Sequence, residues 1–214
     1  MILDYIERAY YINLDYRADR KESFEKRVKD LDISVERFPA IIVNKEDIVN
    51  PYGDIHWHNK VSNYYSHRAI ISKAKELGLQ NVWVFEDDCV FVDGFMEKAQ
   101  ICINDLKCIE WDMFYFGGEP NKETVYYSDN IVKTDGVYGA HSYLVNNTFY
   151  DKILSADLVN GIDILYLNLH TSDKKYYLSR EILCNQDGTS YSDIWGQTIQ
   201  RDEVYKNAYK LYVK

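Results

Sequence analysis

The sequence predicts an α/β fold with a mostly parallel central sheet flanked by helices. Three observations carry that expectation. Short runs of branched and aromatic residues alternate with longer stretches of helical periodicity, the rhythm of strands joined by crossover helices. One apolar run, Val82-Trp83-Val84-Phe85, ends abruptly in Glu86-Asp87-Asp88. A buried strand that ends in charge delivers it to the sheet edge where open α/β folds bind their ligands. Finally, 214 residues of 46% hydrophobic composition suffice for a sizeable core in one large domain or two small ones, and with no internal repeat or convincing linker a single domain over 1–214 is expected.

The elements follow in order. Arg8 to Leu14 reads as the first strand. Asp19 to Leu31 reads as a helix, with Phe24, Val28 and Leu31 along one face. Val35 to Ile42 looks like a second strand, interrupted by Pro39. Asn44 to Lys60 is polar, contains Pro51 and Gly53, and reads as a loop whose length favours a functional role. Val61 to Leu77 has helical spacing and stops at Gly78, a good C-terminal cap. After the Val82–Phe85 strand, Asp93-Gly94 marks a turn. A helix follows over Phe95 to Ile109, with Phe95, Ala99, Cys102, Ile103 and Leu106 inward. Asp112 to Phe116 is a further strand, closed by Gly117-Gly118. Beyond it, Thr124 to Thr134 suits a hairpin or loop and Ser142 to Val145 a short strand. Thr148 to Leu158 and Ile162 to Leu169 suit helices, and Lys175 to Leu178 a strand.

Composition narrows the function. A net charge of -9 and no basic stripe argue against a nucleic-acid binder. No apolar run reaches membrane-spanning length, and the N-terminus lacks a signal-peptide layout, so a cytoplasmic protein without a transmembrane segment is expected. Four cysteines without a CxxC pair predict reduced thiols and no zinc site. The 20 tyrosines suit ordinary strand and surface packing first, and stacking on sugars or bases second.

Three adjacent carboxylates repel one another unless a positive charge sits among them. Mg²⁺ or Mn²⁺, which prefer carboxylate and phosphate oxygens, would supply it. The same triplet also reads as a solvated acidic turn. Arg17 and Arg20 fall at the start of the helix after the first strand, where free N–H groups and guanidinium forks suit a phosphate. They also read as exposed arginines beside an Asp19 cap. Parallel strands end on one edge, so arginines and carboxylates facing one crevice describe a site for a nucleoside diphosphate with a divalent ion. His67, in Ser66-His67, suits either a hydrogen bond to phosphate or sugar, or local packing. Gly139-Ala140 offers close backbone access to a ligand, or a turn into a strand.

Tyr11-Ile12-Asn13-Leu14-Asp15 with Arg17 and Arg20, then Ser66-His67, then Val84-Phe85-Glu86-Asp87-Asp88, then Gly139-Ala140 with Tyr143, resemble glycosyltransferase family 25 in order and spacing. That family includes lipooligosaccharide and collagen hydroxylysine galactosyltransferases. The resemblance covers roughly the first two-thirds of the chain, with a weaker echo from Gln186 through Ser192-Asp193-Ile194. It implies an A-type glycosyltransferase fold, a Rossmann-like, mostly parallel sheet flanked by helices. It also implies a UDP-sugar donor, Mn²⁺ or Mg²⁺, and inverting transfer of galactose or glucose to a glycan or hydroxylated polypeptide.

The resemblance places Asn13, Leu14, Arg17, Arg20, Ser66, His67, Asp87, Gly139 and Ala140 around the donor. It places Glu86 and Asp88 at the metal, Asp88 counting also as catalytic. Alternate side chains of an extended segment face opposite ways, so Glu86 and Asp88 can share a target that Asp87 cannot. Inversion requires a base for the acceptor hydroxyl. Asp163 is the candidate, and it also reads as a plain helix N-cap. His170 and Gln186 are candidates for a third metal ligand. Tyr64-Tyr65 departs from the Gly-Cys element that bacterial relatives tend to carry before Ser-His. Two other readings remain: a metal-dependent nucleotidyltransferase, and a carbohydrate- or nucleotide-binding relative without turnover.

Overall fold

Branched and aromatic residues build the strands, and the amphipathic stretches between them wrap both sheet faces. A computed structural model describes residues 5–170, 175–188, 191–199 and 202–213. In chain order the first half comprises β1 (Ala9–Asn13), α1 (Ala18–Asp30), β2 (Glu36–Pro39), α2 (Trp57–Glu76), β3 (Asn81–Glu86), β4 (Cys89–Phe91), α3 (Phe95–Leu106) and β5 (Met113–Tyr115). Then come β6 (Glu119–Pro120), β7 (Val125–Tyr126), β8 (Ile131–Lys133), β9 (Val137–Tyr138), β10 (Ser142–Asn146), α4 (Asn147–Leu154) and α5 (Ile162–Leu169). The last elements are β11 (Tyr176–Ser179), β12 (Cys184–Gln186), β13 (Tyr191–Ser192), β14 (Gln197–Thr198) and α6 (Asp202–Tyr212).

The main sheet has eight strands in the order β2-β1-β3-β10-β5-β11-β8-β7. Tracing the ladders, only β10 and β8 run against the other strands, so the sheet is mostly parallel as expected. β10 lies between β3 and β5, antiparallel to both. Its five residues suit a fully buried strand because neighbours cover both edges and both faces.

Period-two alternation sorts side chains between two cores. Tyr10, Ile12, Val82, Val84, Tyr143 and Val145 point to the face covered by α2, α4 and α5. Tyr11, Trp83, Phe85, Phe114 and Leu144 point to the face covered by α1 and α3. All five residues expected on the inner side of α3 are buried there. Because α1 and α2 pack on opposite faces, β1 is a strand where the winding reverses. Such a switch point opens a crevice at the carboxyl ends of β1 and β3.

Helix α2 begins at Trp57, four residues earlier than the periodicity predicts. The polar turn before it is held by its own side chains. Asp54 Oδ1 accepts the His56 N–H at 2.8 Å, Lys60 Nζ donates to Asp54 Oδ2 at 2.7 Å, and the Trp57 indole donates to the Val49 carbonyl at 2.7 Å. The helix ends as expected at Gly78, whose φ of +68° suits glycine. The Asn146-Asn147-Thr148 triplet serves as a cap: Asn146 Oδ1 accepts the Thr148 N–H at 3.2 Å. All four cysteines are free thiols. No helix among the described residues is long and apolar enough to cross a membrane.

Candidate active site at the carboxyl edge of the sheet

Ile12 pairs with Glu86 across the β1–β3 ladder, so Asn13 and the acidic triplet leave the sheet side by side. A cavity of about 600 Å³ opens there, floored by Glu86, Asp87 and Asp88 and flanked by Asn13, Leu14 and Arg20. The triplet splits by side. Glu86 and Asp88 converge on one amide: Gln186 Nε2 donates to Glu86 Oε2 at 3.0 Å and lies 3.3 Å from Asp88 Oδ2. Asp87 turns to the other side, accepting from Asn13 Nδ2 at 2.7 Å and from Arg20 Nη1 at 2.8 Å. Arg20 Nη2 also lies 3.8 Å from Asp88 Oδ2.

Gln186 arrives from β12. Its pairing with β4 sets Gln186 opposite Cys89, beside Asp88. Tyr205 of α6 holds the amide oxygen, its hydroxyl donating to Gln186 Oε1 at 2.7 Å. A glycine is required next to that contact. Gly139 has φ of +93°, and a Cβ there would sit 2.6 Å from the Tyr205 hydroxyl.

The two paired carboxylates are not electrostatically equal. Burial, then the neighbouring Glu86 charge, push Asp88 up to about 7, against the pull of Arg20. Burial acts on Glu86 too, but hydrogen bonds and charge from His67 outweigh it, so Glu86 stays below its usual value. Two like charges this close do not both ionise readily. Without a cation, Glu86 keeps its charge and Asp88 holds its proton well above the ordinary carboxylate range. The donor set is hard oxygen, the kind Mg²⁺ and Mn²⁺ prefer, so the residues fit a divalent ion. Among the described residues no cluster of three or more His, Cys, Asp or Glu side chains is placed to share an ion.

A pH test of stability follows. Asp88 binds its proton more tightly folded than unfolded, so its contribution to stability falls as pH rises from about 4 to about 7. Asp88→Asn is therefore expected to raise the metal-free midpoint at pH 8, by roughly 2 kcal/mol in unfolding free energy. The gap should shrink as pH is lowered toward 4. Equal stabilities at pH 8 in chemical denaturation would show that Asp88 is not strained by its neighbour.

Of the other expected site residues, Ser66, Gly139, Ala140 and Asp163 line the cavity, and Arg17 and His67 do not. Arg17 does not line the cavity: its guanidinium is held by Asp19, with Nη2 to Oδ2 at 2.8 Å, and by Asp193. Ser66 borders the cavity, but its hydroxyl is engaged. It accepts the Ile41 N–H at 2.8 Å and donates to the Ser62 carbonyl at 2.7 Å. His67 is fully buried and backs Glu86, with Nε2 3.4 Å from Glu86 Oε1 and Nδ1 2.7 Å from the Tyr143 hydroxyl. Tyr143 and Tyr166 hydroxyls then lie 2.8 Å apart. His67 thus positions an acid rather than facing the cavity.

Ala140 lines the cavity and donates its N–H to Asp163 Oδ1 at 3.0 Å. Asp163 is not the N-cap. Gly161 holds that position, and Asp163 sits in the first turn of α5, on the cavity wall. Of the two further ligand candidates, the structure brings Gln186 to the acids and places His170 elsewhere, 3.7 Å from Asp135 and against Tyr176. Asn63, missed from the sequence, donates to Glu86 Oε1 at 3.1 Å. It stands four residues before His67 on α2, a spacing that puts both on one helix face and was there to be read.

The family profile of glycosyltransferase family 25, described as LPS biosynthesis protein, matches residues 6–180. The chain belongs to glycosyltransferase family 25. Its eight-stranded, mostly parallel sheet with helices on both faces agrees with the α/β architecture expected from the sequence. A family 25 member of Drosophila pseudoobscura pseudoobscura is 26% identical over 171 residues, 71% of this chain and 27% of that protein. Procollagen galactosyltransferase 1-A of Xenopus laevis is 27% identical over 174 residues, 71% of this chain and 28% of that protein. This family 25 chain therefore matches under a third of these relatives' length. A human relative named inactive glycosyltransferase 25 family member 3 is 28% identical over 138 residues, 55% of this chain and 23% of that protein. The crystal structure of A197 from STIV aligns over 80% of this chain and 81% of that one, with a TM-score of 0.46 and 13% identity. So distant a likeness says nothing of function.

Proposed function

We propose that the chain is a metal-dependent hexosyltransferase. It moves galactose or glucose from a UDP-sugar to a hydroxyl of a glycan or hydroxylated side chain, with inversion. One observation carries this reading: Glu86 and Asp88 converge on the Gln186 amide at the cavity floor, beside the Arg20 guanidinium. Glu86 and Asp88 would hold Mn²⁺ or Mg²⁺, with Gln186 beside them. When bound, such an ion stabilises the negative charge of a departing diphosphate. Arg20 adds fixed positive charge on the same side. Asn13, Leu14 and Asp87 form the wall that takes the nucleoside. Asp163 accepts the acceptor hydroxyl proton on its carboxylate, and the Ala140 N–H holds that carboxylate in place. The galactosyl name of one relative supports galactose as the sugar.

The test is a thermal-shift series with UDP, UDP-galactose and UDP-glucose, each with and without Mn²⁺. A ligand that binds only the folded state raises its midpoint by mass action. UDP with Mn²⁺ is expected to raise the midpoint and UDP alone to do little; no response to either sinks the proposal. Product analysis then separates the readings. Released UDP supports glycosyl transfer, pyrophosphate points to nucleotidyl transfer, and binding without release matches a relative that has lost turnover.

A further inference from the structure

The donor chemistry leaves one part of the cavity wall without a role. Trp195, on the β13–β14 hairpin, lines the cavity that also holds Asp163. Lys60 Nζ stands 4.5 Å over its ring centroid, and the His56 ring packs against it edge-on at 5.5 Å. That ammonium is itself held, donating to Asp54 Oδ2 at 2.7 Å and Asn160 Oδ1 at 3.2 Å. Asn160 directly precedes the Gly161–Asp163 turn into α5. One fixed ammonium therefore links the indole to the segment that carries Asp163. The hairpin is tied down as well. Asn59 Nδ2 donates to the carbonyls of Asp193 at 3.0 Å and Ile194 at 3.3 Å, and Arg17 pairs with Asp193.

The geometry points to an acceptor subsite formed by Trp195, Lys60 and Asn160, and shaped for a neutral hexopyranose. This rests on the donor reading above and names the acceptor class for it. An indole in a cavity wall suits the C–H face of a pyranose ring, while the flanking amide and ammonium suit its hydroxyls. The cation–π position over Trp195 is already filled by Lys60. A hydroxylysine acceptor would bring a second ammonium against the first, and like charges disfavour it. A neutral sugar meets no such repulsion, and a hydroxyl seated there lies on the wall shared with Asp163.

The other three tryptophans make the test specific. Trp57, Trp83 and Trp111 are at most 3% exposed, while Trp195 is half-buried on the cavity wall. Intrinsic fluorescence is followed while methyl β-galactopyranoside or methyl β-glucopyranoside is titrated into the protein, alone and with UDP and Mn²⁺. A saturable change is expected with at least one glycoside, and none in Trp195→Phe. In turnover with UDP-galactose, Trp195→Ala should raise the acceptor KM by about tenfold or more, the weight of a buried aromatic contact. Trp195→Phe should restore part of the loss, and in both variants the donor KM should move far less than the acceptor KM. UDP binding is read separately by thermal shift, so its failure counts against the donor reading. Glycosides that stay silent against bound UDP overturn the acceptor subsite. So does turnover with a hydroxylysine peptide but no glycoside, or a donor KM that rises with the acceptor KM.

Discussion

Asp88→Ala is expected to lower hexose transfer by about 10³-fold while leaving the fold in place, because it removes one of the two carboxylates that would hold the divalent ion against the departing diphosphate. The surroundings explain why the fold should survive. Gln186 keeps its 3.0 Å bond to Glu86, and Arg20 keeps its 2.8 Å bond to Asp87. Losing Asp88 also relieves its repulsion with Glu86, which together with burial pushes the Asp88 carboxyl up to about 7. UDP release from UDP-galactose with Mn²⁺ measures the effect, and circular dichroism checks the fold. The Mn²⁺-dependent shift with UDP should vanish in parallel. Turnover near the wild-type rate would remove Asp88 from the metal.

Asp163→Asn is expected to lower kcat by roughly 10²- to 10⁴-fold, the range of a positioned general base. Asparagine keeps an oxygen for the Ala140 N–H, now 3.0 Å from Asp163 Oδ1, so the loop should hold its place. The variant loses the acceptor of the proton, not the binding surface. Donor KM should stay within about twofold, since an interaction confined to the transition state lowers kcat alone. Steady-state kinetics with saturating acceptor decide the matter. An unchanged kcat would assign the base elsewhere, and a large rise in donor KM would make Asp163 a binding residue instead.

How much was legible depended on how local each feature is. Helix α3 could be read almost residue by residue, because five apolar side chains at helical spacing define one face. The start of α2 was hidden, because His56-Trp57-His58-Asn59-Lys60 carries no clear apolar period and forms through tertiary and turn contacts. Strands of two or three residues, such as β4 and β12, are too short to show a period, yet their pairing delivers Gln186 to Asp88. His67 suited either a ligand or local packing, and only the resemblance set it beside the donor. A single sequence holds no sign of the Tyr143 hydroxyl that turns it toward Glu86 from behind.

By itself the sequence determined what depends on neighbours along the chain: an apolar strand, three carboxylates at its end, and their alternation to two sides. Tertiary structure alone decided what those acids meet. Strand order put β10 between β3 and β5, winding placed Asn13 beside Asp87, and a residue one hundred positions away set its amide between Glu86 and Asp88. The physical reason is range. Backbone periodicity and side-chain direction follow from a few adjacent residues, whereas the partner of a buried charge is chosen by whichever distant segment the core packing brings against it.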